Sequence, residues 1–167
     1  MPSPQTTKAS PSASERPALD VEIVSSEFED GWDIGFLPDG RALVTERAGR
    51  VTMLSSTRAG ALATAVEMDL SGVYARGEGG LMGLVVHPDF AQSRLFTTCL
   101  NFSEGGTPVD IRLVTWRLSD TGTSAEKVKD LLTGLPRHVS GRHSGCRPTL
   151  AGDGGLLAFR YARDTSP

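Results

Sequence analysis

Short apolar runs separated by turn residues make up most of the chain from Val21 onwards. Each run is four to eight residues long, rich in Val, Leu, Thr and aromatic residues, and bounded by Gly, Pro, Asp or Ser. Runs of this length and composition are typical of strands rather than of helices, whose apolar positions recur every three or four residues. The runs are VEIV, WDIGFL, ALVTE, RVTML, LMGLVV, RLFTTCL, IRLVTWRL and GGLLAF. The sequence therefore predicts an all-β protein.

The segment TSAEKVKDLL at 123–132 has features of both a helix and a strand. Thr123 and Glu126 have the spacing of a helix capping box. Gly134 and Pro136 cut the run short, which disfavours a helix of useful length. We predict a strand here.

A turn motif recurs along the chain. The stretch FLPDGRALV at 36–44 reappears loosely as LAGDGGLLA at 150–158, and a weaker relative, VHPDF, lies at 86–90. Pro fixes φ at the second turn position while Asp and Gly tolerate the positions after it, so each copy predicts a hairpin. Intervals of about 50 to 65 residues suit the four-stranded blades of a β-propeller with long loops. A β-sandwich that reuses one kind of turn is the alternative.

Charge and hydropathy exclude two classes of partner. Lys plus Arg number 17 against 20 Asp plus Glu, and no basic run occurs, so a nucleic-acid partner is not expected. No stretch of 18 or more apolar residues is present, so we expect no membrane-spanning helix. The start of the chain also lacks the basic and apolar regions of a secretory signal.

Residues 1–17 are dominated by Ser, Pro, Thr and Ala and contain no large apolar side chain beyond Met1. Ordering such a segment would bury almost no apolar surface, so we predict a disordered tether. A mis-assigned start codon would leave the same composition.

Cys99 and Cys146 lie 47 positions apart, which fits neither a zinc ribbon nor a CxxC redox pair. Two free buried thiols are the simpler interpretation. A structural disulfide is the alternative, because Cys99 ends a predicted strand and Cys146 follows a Gly-rich turn that a propeller would bring alongside. A disulfide would require an oxidising compartment.

Three segments, taken in order, resemble motifs of the glucose/sorbosone dehydrogenase family. The first resembles the signature of that family's first blade, the second its second-blade motif, and the third the histidine motif that opens its third blade. They are WDIGFLPDG at 32–40 with LVTER at 43–47 and GRV at 49–51, GEGGLMG at 77–83 with HPDF at 87–90, and RHSGCR at 142–147. The resemblance therefore covers residues 31 to about 157 and divides the chain into a tether (1–17), amino-terminal blades (18–157) and an atypical tail (158–167).

The resemblance implies a six-bladed β-propeller that carries pyrroloquinoline quinone (PQQ) at its axis and oxidises the anomeric hydroxyl of a sugar. The position that matches the family's general base is His143. An imidazole suits this step because its pKa lies near the working pH, so that it accepts the hydroxyl proton as hydride passes to the quinone. The cofactor supplies the electron sink, and the protein supplies position and charge.

Two further positions at this site depart from the family. Glu78 stands where many relatives carry a Gln that lines the cofactor pocket, and a carboxylate there would face an anionic quinone. Arg142 stands where the best-known soluble branch has an acidic residue. An Arg at that rim would favour the quinone's three carboxylates; a solvated surface charge is the alternative. We assign Glu78 and Arg142 as cofactor-binding candidates.

The remaining candidate residues have structural interpretations. Trp32 and Trp116 lie in apolar strands and are expected to be buried in the core or between blades. His87 is interpreted as a turn or packing residue, and His138 has no evident partner. The Asp residues match no calcium loop, and no metal site is assigned.

The chain ends where the family would continue with further blades. Residues 158–167 do not resemble the expected strand, which suggests a shifted or truncated reading frame, or the end of an expressed fragment. In the family, the basic residues that hold the quinone and the ligands for associated calcium belong to later blades. We therefore expect this chain alone to be inactive and prone to aggregation.

Two functions remain open on the sequence alone. The first is the amino-terminal part of a PQQ-dependent aldose dehydrogenase, exported from the cytoplasm as the resemblance implies. The second is a non-catalytic propeller module that binds a protein or carbohydrate partner. A lactonase-type propeller would need acidic metal ligands at the blade tips, and no convincing set is present.

Overall fold

Ten strands and one short helix form three antiparallel sheets in a computed structural model that describes residues 19–138 and 141–160. The strands are β1 (Gly31–Phe36), β2 (Ala42–Glu46), β3 (Arg50–Leu54), β4 (Ala63–Ala65), β5 (Leu81–Val86), β6 (Leu95–Glu104), β7 (Thr107–Leu118), β8 (Ala125–Leu135), β9 (Cys146–Leu150) and β10 (Leu156–Arg160). The helix α1 (Phe90–Ser93) lies between β5 and β6.

Each sheet is a meander in which spatial order equals chain order. We call β1–β4 blade 1, β5–β8 blade 2 and β9–β10 the start of blade 3. The first strands of the three sheets are neighbours, because β1 contacts β5 and β5 contacts β9. Successive meanders whose first strands lie side by side are the arrangement of a β-propeller. The predicted fold, an incomplete propeller of two to three blades, is confirmed.

The hairpin that joins the first two strands of each blade is closed in the same way. In the first turn the amide of Leu37 donates to the carbonyl of Arg41, and the amide of Gly40 donates to the carbonyl of Leu37. The residues in the same three positions are His87, Leu95 and Phe90 in the second turn, and Ala151, Gly155 and Gly154 in the third. In the first and third turns an Asp side chain, Asp39 or Asp153, also accepts from the backbone two residues on. The recurring motif therefore marks the inner hairpin of each blade.

Blade 1 packs against blade 2 through the largest apolar core of the described residues. Gly35 in β1 allows the close approach, since a Cβ there would lie 2.3 Å from Cδ1 of Leu84 and 2.9 Å from Cγ2 of Val86. Trp116 is 2% exposed and its indole N–H donates to Thr98 Oγ1 at 2.9 Å, as expected for a buried Trp. The main buried members are Leu37, Leu43, Val51, Met53, Leu81, Leu84, Phe96, Leu100, Val114, Trp116 and Leu118.

A second apolar cluster joins blade 2 to β9. Cys99 of β6 and Cys146 of β9 form a disulfide in the middle of this cluster, and both are almost fully buried. The interpretation of two free thiols is therefore wrong, because the neighbouring blade brings Cys146 directly onto Cys99. Gly83 of β5 leaves room for β9, since a Cβ there would lie 2.7 Å from the carbonyl oxygen of Cys146.

Most of the segment 123–132 lies in a strand, as predicted, since β8 begins at Ala125. β8 pairs antiparallel with β7 along its length, with three irregularities in register. Its side chains are mostly exposed because β8 is the outermost strand of blade 2. Pairing with a long neighbouring strand outweighs the weak helical signal of the capping box.

Two expectations from the apolar pattern are wrong. The run VEIV at 21–24 forms no strand, and the described backbone from 19 to 29 makes no backbone–backbone hydrogen bond. Trp32 is 37% exposed rather than buried. It lies with Ile34 and Phe36 on the side of β1 that faces away from blade 2, and these residues line an open groove of about 740 Å³.

Parts of the predicted domain scheme lie outside the described residues. The tether at 1–17 is within the undescribed amino terminus, and of the tail only 158–160 is described, as the end of β10. Among the described helices, none has the length and apolar character needed to span a bilayer.

Candidate functional site

Two of the sequence motifs form loops that meet. The second-blade motif makes a tight loop at 76–80 directly before β5, and the histidine motif makes a loop at 141–145 directly before β9. Since β5 and β9 are neighbouring first strands of their blades, both loops lie at the same end of the propeller. The site candidates Glu78, Arg142 and His143 are thus brought to one place.

Glu78 and His143 are in direct contact. The backbone amide of His143 donates to Oε2 of Glu78 at 2.9 Å. The amide of Glu78 in turn donates to the carbonyl of Gly141 at 3.0 Å. The carboxylate predicted to line the cofactor pocket therefore holds the loop that carries the predicted base.

His143 has a left-handed backbone, with φ of 56°. This conformation is uncommon for a residue that is not Gly, and it persists only where the surroundings hold it. The side chain is half-buried, and its ring lies edge-on to that of His138, with centroids 6.0 Å apart and planes at 86°. The expectation that His138 has no partner is therefore wrong, because the fold brings the two imidazoles together at the start of blade 3.

Arg142 is exposed beside His143. Its carbonyl oxygen lies 3.4 Å from the hydroxyl of Ser144, which also donates to Gly141 at 3.2 Å. Exposure is compatible with both interpretations of this cation, a cofactor contact and a surface charge, so its role stays a prediction.

Asn101 is a component of the site that the sequence did not reveal. It is 2% exposed, its amide donates to the carbonyl of Gly80 at 2.9 Å, and its carbonyl accepts from Tyr74 at the same distance. Its side chain lies under the loop at 76–80, so close to Gly79 that a Cβ there would be 1.8 Å from Nδ2. Within the described residues Oδ1 accepts no hydrogen bond. A single Asn inside an apolar strand gives no signal in the sequence.

Asp33 of β1 is a further buried polar residue near the inner strands. It accepts hydrogen bonds from the backbone amide of Leu84 at 3.1 Å and from Nη2 of Arg147 at 3.0 Å. Pairing of β5 with β6 is irregular between Leu81 and Leu84, which leaves that amide available. One carboxylate therefore contacts all three blades.

His87 lies away from this site and has the predicted packing role. Its Nε2 is 2.8 Å from Oγ1 of Thr97, which is 2.9 Å from Oγ1 of Thr115. Burial lowers the pKa of His87 below its usual 6.5; the charge of Lys129 acts in the same direction and that of Asp89 opposes it.

The chain matches the family model for glucose/sorbosone dehydrogenases over residues 28–160. It is 32% identical over 146 residues to the aldose sugar dehydrogenase YliI of Escherichia coli K12, a match that covers 83% of this chain and 37% of that protein. The sequence thus spans less than two fifths of this relative.

Solved structures give the same result. The structure of an oxidoreductase (glucose dehydrogenase) from Thermus thermophilus is similar with a TM-score of 0.71 and 34% identity, over 83% of this chain and 39% of the other. The PQQ-bound aldose sugar dehydrogenase of Streptomyces coelicolor shares the fold, with a TM-score of 0.69 at 24% identity, over 81% and 39% of the two chains. The motifs, the fold and these similarities agree, and the chain belongs to the glucose/sorbosone dehydrogenase family.

Proposed function

We propose that this chain supplies the first blades and the general base of a PQQ-dependent sugar dehydrogenase that oxidises the anomeric hydroxyl of an aldose. The observation that carries the proposal is the contact between the family's second-blade motif and its histidine motif, through Glu78 and His143. The sugar dehydrogenase relatives support the reaction class, and the whole-enzyme activity remains a proposal because the chain matches only part of their length.

His143 is the residue proposed to take the proton from the sugar hydroxyl. Its imidazole is half-buried and lies on a loop that Glu78 contacts at Gly141 and at His143, so that its position is fixed while it still reaches solvent. A fixed imidazole with access to substrate meets the geometric requirement for a general base.

The residues of the two loops fit an anionic quinone. Arg142 and Arg76 supply exposed cations near this edge, and the carboxylate of Glu78 is engaged by the amide of His143. Arg142 would contact a carboxylate of the cofactor, as a guanidinium binds carboxylates well. Bound PQQ would supply the hydride acceptor that no protein side chain provides.

An extracytoplasmic location is part of the proposal. The buried disulfide between Cys99 and Cys146 supports it, since such bonds persist in oxidising compartments.

The test uses the whole chain and a chimera in which it replaces the matched stretch of the E. coli relative. Aldose-dependent reduction of a redox dye is measured with PQQ and calcium added. We expect turnover by the chimera and none by the chain alone, because the quinone-binding residues of later blades are supplied only by the chimera. His143→Gln in the chimera should lower turnover at least about a hundredfold.

His87→Gln is the matched control, because this imidazole packs within blade 2 away from the site. Its turnover should stay close to that of the parent chimera. A folded chimera that binds PQQ but reduces no dye, or one in which His143→Gln is as active as the parent, contradicts the proposal and favours the alternative of a partner-binding module.

A further inference from the structure

We propose that Glu78 is a positioning residue whose carboxylate holds the backbone of His143 in its left-handed conformation. The inference rests on the proposed function only in taking His143 as the base. It gives Glu78 a role different from the cofactor contact expected from its place in the motif.

The two loops are joined by reciprocal hydrogen bonds. Glu78 donates from its amide to the carbonyl of Gly141 at 3.0 Å and accepts at its side chain from the amide of His143 at 2.9 Å. One residue therefore contacts the histidine loop at two points that are two residues apart along the chain. The ring formed by these bonds restricts both the position and the backbone torsions of Gly141 to His143.

His143 needs such a restraint because its φ of 56° lies in a region that side chains with a Cβ disfavour. In this conformation its amide donates to Glu78. Without an acceptor at that point, the residue would gain by returning to a common backbone conformation. The imidazole would then move with it, away from its edge-on contact with His138.

The loop that carries Glu78 is itself held rigidly. Arg76 and Gly79 exchange backbone hydrogen bonds at 3.1–3.2 Å. Gly79 rests against the side chain of buried Asn101, and a Cβ at Gly141 would lie only 2.5 Å from the carbonyl oxygen of Arg76. The two loops pack so closely at these Gly residues that no side chain would fit between them. The backbone of Glu78 is therefore fixed in position.

The contact requires an acceptor of the right length rather than a negative charge. A Gln at this position has a carbonyl oxygen at the same reach, so Glu78→Gln should preserve the contact. Glu78→Ala removes the acceptor and should release His143. Glu104→Ala is the matched control, since Glu104 is an exposed carboxylate with no hydrogen bond among the described side chains.

The experiment measures hydrogen exchange of the His143 amide by NMR on the whole chain and on the three variants. We expect Glu78→Ala to accelerate this exchange about tenfold or more, as for loss of a hydrogen bond to a charged acceptor. Glu78→Gln should stay within about threefold of the parent, and Glu104→Ala should be unchanged. The ring signals of His143 and its nuclear Overhauser contact with His138 should be altered only in Glu78→Ala.

The proposal is overturned if Glu78→Ala leaves the exchange and ring signals of His143 unchanged. If Glu78→Ala unfolds the chain, Glu78→Gln decides: protection of His143 in this folded variant upholds the proposal, and loss of protection overturns it. No readout needs quinone or turnover, so these outcomes are independent of whether His143 proves to be the base in the chimera.

Discussion

The carboxylate of Asp33 in β1 and the guanidinium of Arg147 in β9 are hydrogen-bonded at 3.0 Å, although 114 positions separate them in sequence. The contact crosses the edge of β5, whose Leu84 amide donates to the same carboxylate. The three blades of this chain are therefore joined at a single buried acid as well as by apolar packing.

Substitution of Asp33 should be more destabilising than substitution of Arg147. Asp33→Ala leaves the buried amide of Leu84 without an acceptor, which costs about 1–3 kcal/mol. Arg147 is 74% exposed, and without it Asp33 still accepts hydrogen bonds from the amides of Leu84 and Ile34, so Arg147→Ala should cost less, about 0–1 kcal/mol. Urea unfolding of the two variants and the parent gives both values. Equal losses for the two variants would contradict this account.

The disulfide between Cys99 and Cys146 should be a major source of stability. It closes a loop of 47 residues, and loss of that constraint on the unfolded chain corresponds to about 4 kcal/mol. Reduction should therefore shift the urea midpoint of the parent to a much lower value. The double variant Cys99→Ala with Cys146→Ala should unfold at that lower value with or without reductant. A parent midpoint that does not respond to reductant would refute the prediction.

His87 should make stability depend on pH in the mildly acidic range. Because burial lowers its pKa in the folded state, the unfolded chain binds the proton first as pH falls. The associated stability is present above the unfolded value of 6.5 and is lost as pH falls through the lower folded pKa. His87→Gln keeps an N–H near Thr97 but does not titrate. The slope of unfolding free energy between about pH 7 and 5 should be shallower in this variant than in the parent; parallel slopes would count against the prediction.

The side of β1 that faces away from blade 2 should cause the chain to self-associate. Trp32, Ile34 and Phe36 are 37%, 42% and 64% exposed on one face, and apolar groups grouped in this way favour association. Replacing Ile34 and Phe36 with Thr keeps strand-forming residues and lowers apolar exposure. Sedimentation velocity over a range of concentrations should show less association in this double variant than in the parent. Val109→Thr, an exposed position on blade 2, is the control and should have no effect.

Much of the fold was accessible from the sequence because it depends on local pattern. The runs ALVTE, RVTML and LMGLVV coincide with β2, β3 and β5. Short apolar runs bounded by turn residues predict strands, because a strand that is packed on both faces needs apolar side chains on both faces. The short β4 and the polar β9 could not be predicted in this way because neither is an apolar run. The prediction of a strand at VEIV was wrong although this run is apolar, because an apolar run forms a strand only where a neighbouring strand pairs with it.

The candidate site was only partly accessible. The motifs pointed to Glu78 and His143, but nothing local indicates that a carboxylate at 78 meets a backbone amide at 143, since that contact depends on how blade 2 and blade 3 pack. Asn101 was missed because its role comes from its neighbours Gly79 and Gly80, and not from its surroundings in the sequence. The pairing of the cysteines was left open for the same reason.

The turn that closes the first hairpin of each of the three blades also determines where inserted residues are tolerated. In blade 2 the amide of His87 still closes on the carbonyl of Leu95, although α1 has been inserted between them. The first and third turns make the same closure with only three intervening residues. Insertions at these turns can therefore lengthen the loop at this end of each blade while the register of the inner hairpin is preserved. Engineered loops or affinity tags placed between Asp39 and Arg41 would be expected to leave the blade intact.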